Sequence, residues 1–161
     1  MSRGHIVKRV FYAIGWIVFG LVAVGVGMVV YKAVALNNEA TAYVDAAIPA
    51  ISAHWSASEL LDRATPELKK DTTPDAVAKL FRILEPLGRL TKYEGAKGSS
   101  KTSYSTETGT SITGDYAATA EYENGTATFD VVVVKRNGQW MINGFHFDAK
   151  LKPDAAVQKG T

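Results

Sequence analysis

The chain has 161 residues, 47% of them hydrophobic and 21% charged, with no cysteine and a formal net charge of +2. The charges are unevenly placed: residues 1–36 hold Arg3, Lys8, Arg9 and Lys32 and no acid, so the remainder carries 14 basic against 16 acidic side chains. A basic nucleic-acid-binding domain is therefore disfavoured. The missing cysteines exclude a disulfide framework, a thiol nucleophile and a thiolate-held metal.

Residues 1–9 read as a basic N-terminus that precedes a membrane anchor at 10–32. From Val10 to Tyr31 there are 22 residues without a charge, which at about 1.5 Å per residue suffice for a hydrocarbon core of roughly 30 Å. Arg3, Lys8 and Arg9 precede the segment and only Lys32 follows it closely, which predicts a cytoplasmic N-terminus and an extracytoplasmic remainder, as in a single-pass protein of a bacterial inner membrane. Phe11, Tyr12, Trp16 and Tyr31 stand where interfacial aromatics are expected. Ala33 and Ala35 also have the small-x-small form of a signal-peptide processing site, but the apolar stretch exceeds the usual 7–15 residues or so of such a peptide. Gly20, Ala23 and Gly27 share a helical face on which a second membrane helix could approach.

Residues 38–150 read as one α+β domain. Val44, Ile48, Ile51 and Trp55 recur at helical spacing, and Pro49 within them predicts a bent helix over 38–55. Ser56 with Glu59, Thr65-Pro66 and Thr73-Pro74 each signal a helix start. The third leads into the apolar stripe Val77, Leu80, Phe81, Leu84 and Leu87, which Gly88 closes.

The pattern then changes to strands. Leu90 to Ala96 is a first strand, and the Ser/Thr/Gly-rich run over 98–114 is either a loop or a polar edge strand around Tyr104. Tyr116, Ala118, Ala120 and Tyr122 alternate with polar residues up to Asn124-Gly125. Ala127, Phe129, Val131 and Val133 follow up to Asn137-Gly138. Both dipeptides predict two-residue hairpin turns, so the strands form a meander. A parity slip at Asn143-Gly144 predicts a bulge that keeps Trp140, Ile142, Phe145 and Phe147 on one face. Residues 151–161 read as a flexible tail.

Helices followed by such a meander, closing on Asn137-Gly138-Gln139-Trp140-Met141-Ile142-Asn143-Gly144-Phe145, resemble the nuclear transport factor 2-like, or cystatin-like, superfamily. The resemblance spans roughly Asn38 to Asp148 and implies a curved antiparallel sheet wrapped as a cone around helices, with a pocket at its wide end. It implies no catalytic residues. The full fold class expected is an N-terminal transmembrane helix followed by helices packed on a curved antiparallel meander sheet. An anchor followed by this domain is also similar in arrangement to the periplasmic assembly subunit of type IV secretion systems, without a shared sequence motif.

Candidate chemistry is sparse. His54 and Trp55, with Tyr116 and Tyr122, are the residues a pocket mouth would use. His146 and Asp130 fall on the sheet face turned away from the helices. The histidines outside the basic N-terminus have no ligand spacing, and no phosphate loop or nucleophile elbow occurs, so no cofactor or metal is expected. Val132, Val134 and Met141 would form an apolar patch on the outer face, rimmed by Thr128, Asp130, Asn143 and His146. These features point to a membrane-tethered binding or assembly module acting on another membrane or periplasmic protein or on itself. A small apolar-ligand pocket or an enzyme of the same fold is the alternative.

Overall fold

The computed structural model describes the backbone of residues 4–105 and 109–153, and their side chains except for 4–21, 23 and 103–110. The order of elements is helix α1 (Gly4–Ser52), α2 (Ala57–Arg63), α3 (Pro66–Asp71), α4 (Pro74–Leu84), a 3-10 turn at Glu85–Leu87, and strands β1 (Leu90–Ser105), β2 (Gly109–Tyr122), β3 (Gly125–Arg136) and β4 (Gln139–Leu151). The chain divides into two compact units, Met1–Leu36 and Asn37–Thr161.

In the first unit the described apolar side chains before Leu36, among them Val24, Met28, Val29 and Tyr31, are exposed. Among the described residues no helix is long and apolar enough to cross a membrane. Most side chains of the expected span at 10–32 lie outside the described residues.

The second unit is an α+β fold built on a four-stranded antiparallel sheet in the order β1-β2-β3-β4. Alternation of side chains gives it an apolar face: Tyr116, Ala118, Ala120, Tyr122, Ala127, Phe129, Val131, Val133, Trp140 and Ile142 are buried in one core. Against that face α1 buries Ala40, Val44, Ala47, Ile48 and Ile51, at helical spacing. From α4 come Val77, Phe81 and Leu84.

The three helix-start signals act as caps. Ser56 Oγ accepts from the Glu59 amide at 3.3 Å, Thr65 Oγ1 from Leu68 at 3.2 Å and Thr73 Oγ1 from Ala76 at 3.2 Å. Gly88, at φ +79°, ends the 3-10 turn and donates to the Glu85 carbonyl.

Several expectations are corrected. Residues 38–55 are not a separate helix: they continue α1, which runs through Pro49 and stops at Ser52, with Ile48 and Ile51 buried on either side of the proline. Trp55 is outside the helix at φ +48°, and the Ser56 amide reaches back to the Ile51 carbonyl at 3.0 Å. That is a Schellman-type closure with an aromatic residue at the position glycine usually takes. Of the two alternatives for the run over 98–114, its described residues take the strand: β1 extends to Ser105 and β2 begins at Gly109. Leu151 is the last residue of β4 rather than the first of a tail, and the tail from Asp154 onward lies outside the described residues. The bulge is where the parity slip places it, since Val133 pairs with Ile142 and Val132 with Gly144.

The two hairpins differ. Arg136 pairs with Gln139, which leaves Asn137-Gly138 as a two-residue turn with φ +52° and +81°. Tyr122 pairs with Gly125, so the other turn is Glu123-Asn124, one residue earlier than expected. The corner before β1 holds it there: the Glu123 amide donates to the Arg89 carbonyl and the Asn124 amide to the Leu87 carbonyl.

Candidate functional site

The four residues expected at a pocket mouth separate into three environments. Trp55 and Tyr122 stack, with ring centroids 5.3 Å apart and planes at 23°, and Phe81 and Phe129 lie 5.7 and 6.3 Å from the indole. These rings occupy the space between α1, α4 and the sheet. His54 is exposed beside them. Tyr116 lies six residues before Tyr122 on β2, where its hydroxyl donates to Asn37 Oδ1 at 2.9 Å and meets Ser100 Oγ at 2.8 Å.

Burial governs the chemistry of this interior. It pushes the Tyr122 hydroxyl up to about 12, an effect Ser52 opposes; neither oxygen is aligned for a hydrogen bond, and the buried Trp55 Nε1 also lacks a partner among the described residues. Tyr93 is raised as well, by burial first and then by the Asp45 carboxylate. Asp45 Oδ1 accepts from the Tyr93 hydroxyl at 2.9 Å and from the Ala96 amide at 2.7 Å. With Asn37 Oδ1 accepting from the Ser100 amide at 3.1 Å, these bonds lay α1 along β1 in the opposite direction. Both groups are positioning contacts between a helix and a strand.

The outer face departs from the expected contiguous patch. Val134 and Met141 are cross-strand partners, but Val134 is only 5% exposed and Val132 and Met141 are half-buried. Val132 has Asp115 and Gly144 as ladder neighbours. It joins Lys97, Asp115, Asp130 and His146 around a shallow concavity of about 260 Å³. Among the described residues no group of three or more metal-capable side chains comes together.

The more apolar concavity, about 370 Å³, lies on the other side of the sheet, between the short helices and β4. Leu60 and Leu61 from α2, Leu68 from α3, Val77, Leu80 and Phe81 from α4, and Asn143 to Phe147 from β4 line it. Leu80 belongs to the apolar stripe of α4, yet it is 49% exposed, and Ile83, next on that helix face, is 71% exposed. One signal was available in the sequence. Ala76, Leu80 and Ile83 form a second apolar stripe on α4 beside the buried one, more than a helix with one covered face requires.

At one end of this groove the buried Thr65 closes the sheet edge, its amide donating to the Ile142 carbonyl at 2.8 Å and its hydroxyl to Asn143 Oδ1 at 3.1 Å. Beyond that point β4 is an edge strand without an outer hydrogen-bond partner among the described residues. Searches against protein-family models, curated proteins and solved structures find no match to the chain.

Proposed function

We propose that the chain is a membrane-anchored, extracytoplasmic interaction module with the curved sheet and packed helices of the cystatin-like cone, acting through protein-protein contacts. The observation that carries this reading is the groove of about 370 Å³ between α4 and β4, with Leu80 exposed in its lining and Ile83 exposed three residues further along α4. Exposed apolar residues gathered beside a concavity favour association. His54 and His146 are both exposed, and His146 lies in the β4 side of the groove. Support for the anchor is the uncharged stretch from Val10 to Tyr31 with its preceding basic residues.

Two measurements test the reading. A reporter active only outside the cytoplasm, fused after Lys150, is expected to be active and to stay with membranes through a carbonate wash; a soluble species beginning at Leu36 would overturn the anchor. Leu80→Glu with Ile83→Glu is expected to leave the fold intact, since both side chains face water, and to abolish cellular function by placing unpaired carboxylates in an apolar contact.

A second reading is favoured by the size of the groove, which lies in the range of small-ligand pockets, about 300–1,000 Å³. If the groove takes a small apolar ligand, Leu68→Trp would remove function by filling it while the Leu80→Glu, Ile83→Glu pair would have the lesser effect. The opposite ranking supports protein contact.

A further inference from the structure

We infer that the open edge of β4 pairs with β4 of a second copy, antiparallel about a two-fold axis at Ala149. The phase of the ladder sets the hydrogen bonds. Because the Ile142 carbonyl accepts from Thr65, the Val133–Ile142 rung turns the β4 peptide groups outward. The rungs of the same phase beyond the bulge are Val131–Phe145, Phe129–Phe147, Ala127–Ala149 and Gly125–Leu151. Phe147, Ala149 and Leu151 therefore present their N–H and C=O groups at the edge, where the described residues supply no partner.

The side chains of this stretch complement themselves. In Phe147-Asp148-Ala149-Lys150-Leu151, pairing about Ala149 sets Phe147 opposite the partner's Leu151 and Asp148 opposite the partner's Lys150. Both relations occur twice by symmetry. The small Ala149 meets its own copy at the axis. Asp148 and Lys150 are exposed and belong to none of the ion pairs among the described residues. Leu151 is 48% exposed, and the pairing gives it an apolar neighbour. About six backbone hydrogen bonds would join the two sheets, and Pro153, lacking an N–H, ends the pairing. A lysine on an exposed edge ordinarily discourages strand addition; here an aspartate two residues away supplies its counter-charge.

The paired edge lies within the Asn37–Thr161 unit, and its pairing does not depend on the anchor.

The test is a charge exchange in the full chain, purified in detergent and followed by sedimentation. Asp148→Lys faces Lys150 of the second copy twice and is expected to weaken dimerisation about tenfold or more. Asp148→Lys with Lys150→Asp restores complementarity and is expected to restore the dimer. A monomeric wild type, an unaffected single variant, or a double variant as weak as the single one would each overturn the pairing. In membranes the cysteine-free chain allows a direct readout: Ala149→Cys is expected to form a disulfide-linked dimer on oxidation, whereas Thr126→Cys, on an exposed site of β3, is not. Equal cross-linking of the two, or capture of a different protein by Ala149→Cys without self-dimer, would show that the edge is not self-paired.

Discussion

The two hairpins of the sheet contain the same Asn-Gly dipeptide and use it differently. At Asn137-Gly138 both residues adopt the left-handed backbone that a tight hairpin turn of this length needs, and a Cβ on Gly138 would meet nothing within 4 Å. At the other hairpin the turn is Glu123-Asn124, and Gly125 is the first residue of β3. A Cβ there would come within 2.3 Å of the Lys150 carbonyl and 2.6 Å of Leu87 Cδ2. One glycine serves the backbone dihedral and the other serves a close approach. The lesson is that a dipeptide reports local preference only where nothing else packs on the turn. Leu87 and Arg89 pack on the first turn, and their carbonyls take both of its amides.

This difference sets the order of expected effects. Gly125→Ala is the largest, because backbone atoms must move to admit the methyl group; a loss of about 2–3 kcal/mol is expected in urea unfolding. A loss below about 1 kcal/mol would mean that the corner has slack and that the two glycines are alike after all. Gly138→Ala meets open space and carries only the cost of a left-handed alanine, about 1 kcal/mol, with no change in the β3–β4 register by amide exchange.

The smallest effect is electrostatic and distinguishes the hairpins by their acid response. The Glu123 carboxyl lies below its ordinary value of 4.5, held first by the Arg89 amide at 3.1 Å and then by the Arg89 guanidinium. Near the other hairpin Glu67 is lowered chiefly by its hydrogen bond to Arg136, at 2.6 Å. A carboxyl depressed in the folded state contributes stability above its unfolded value, and that contribution is lost as pH falls through the lowered folded value. Glu123→Gln and Glu67→Gln should each flatten the decline in melting temperature beginning near pH 4.5. Both carboxylates are exposed, so added salt should shrink the Glu67 effect, whereas Glu123 keeps its backbone donor. Equal salt sensitivity would erase the distinction.

Much of this architecture can be read along the chain because its causes are local. The caps at Ser56, Thr65 and Thr73 need only a hydroxyl three residues before an amide. The alternation from Tyr116 to Val133 needs only the two-residue period of a strand, and the bulge at Asn143 shows itself as a slip in that period. The groove was less legible. Leu80 has the same spacing as Val77 and Phe81, and only the placement of β4 decides that Leu80 ends at a rim and Phe81 in the core. Val134 is the converse case, placed by alternation on the outer face and yet buried.

Trp55 draws the boundary most sharply. Its spacing from Val44, Ile48 and Ile51 continues a helical stripe, and periodicity assigns it to the helix. In the fold it leaves the helix at φ +48° and lays its indole on Tyr122. Residue order alone therefore settles the α+β class, the caps, the alternating faces and the Asn137-Gly138 turn, each set by chemistry within a few positions. The register at Glu123-Asn124, the end of α1 and the groove beside β4 depend on groups that meet only after the sheet and helices have packed. There, filling the core outweighs a local preference of about 1 kcal/mol.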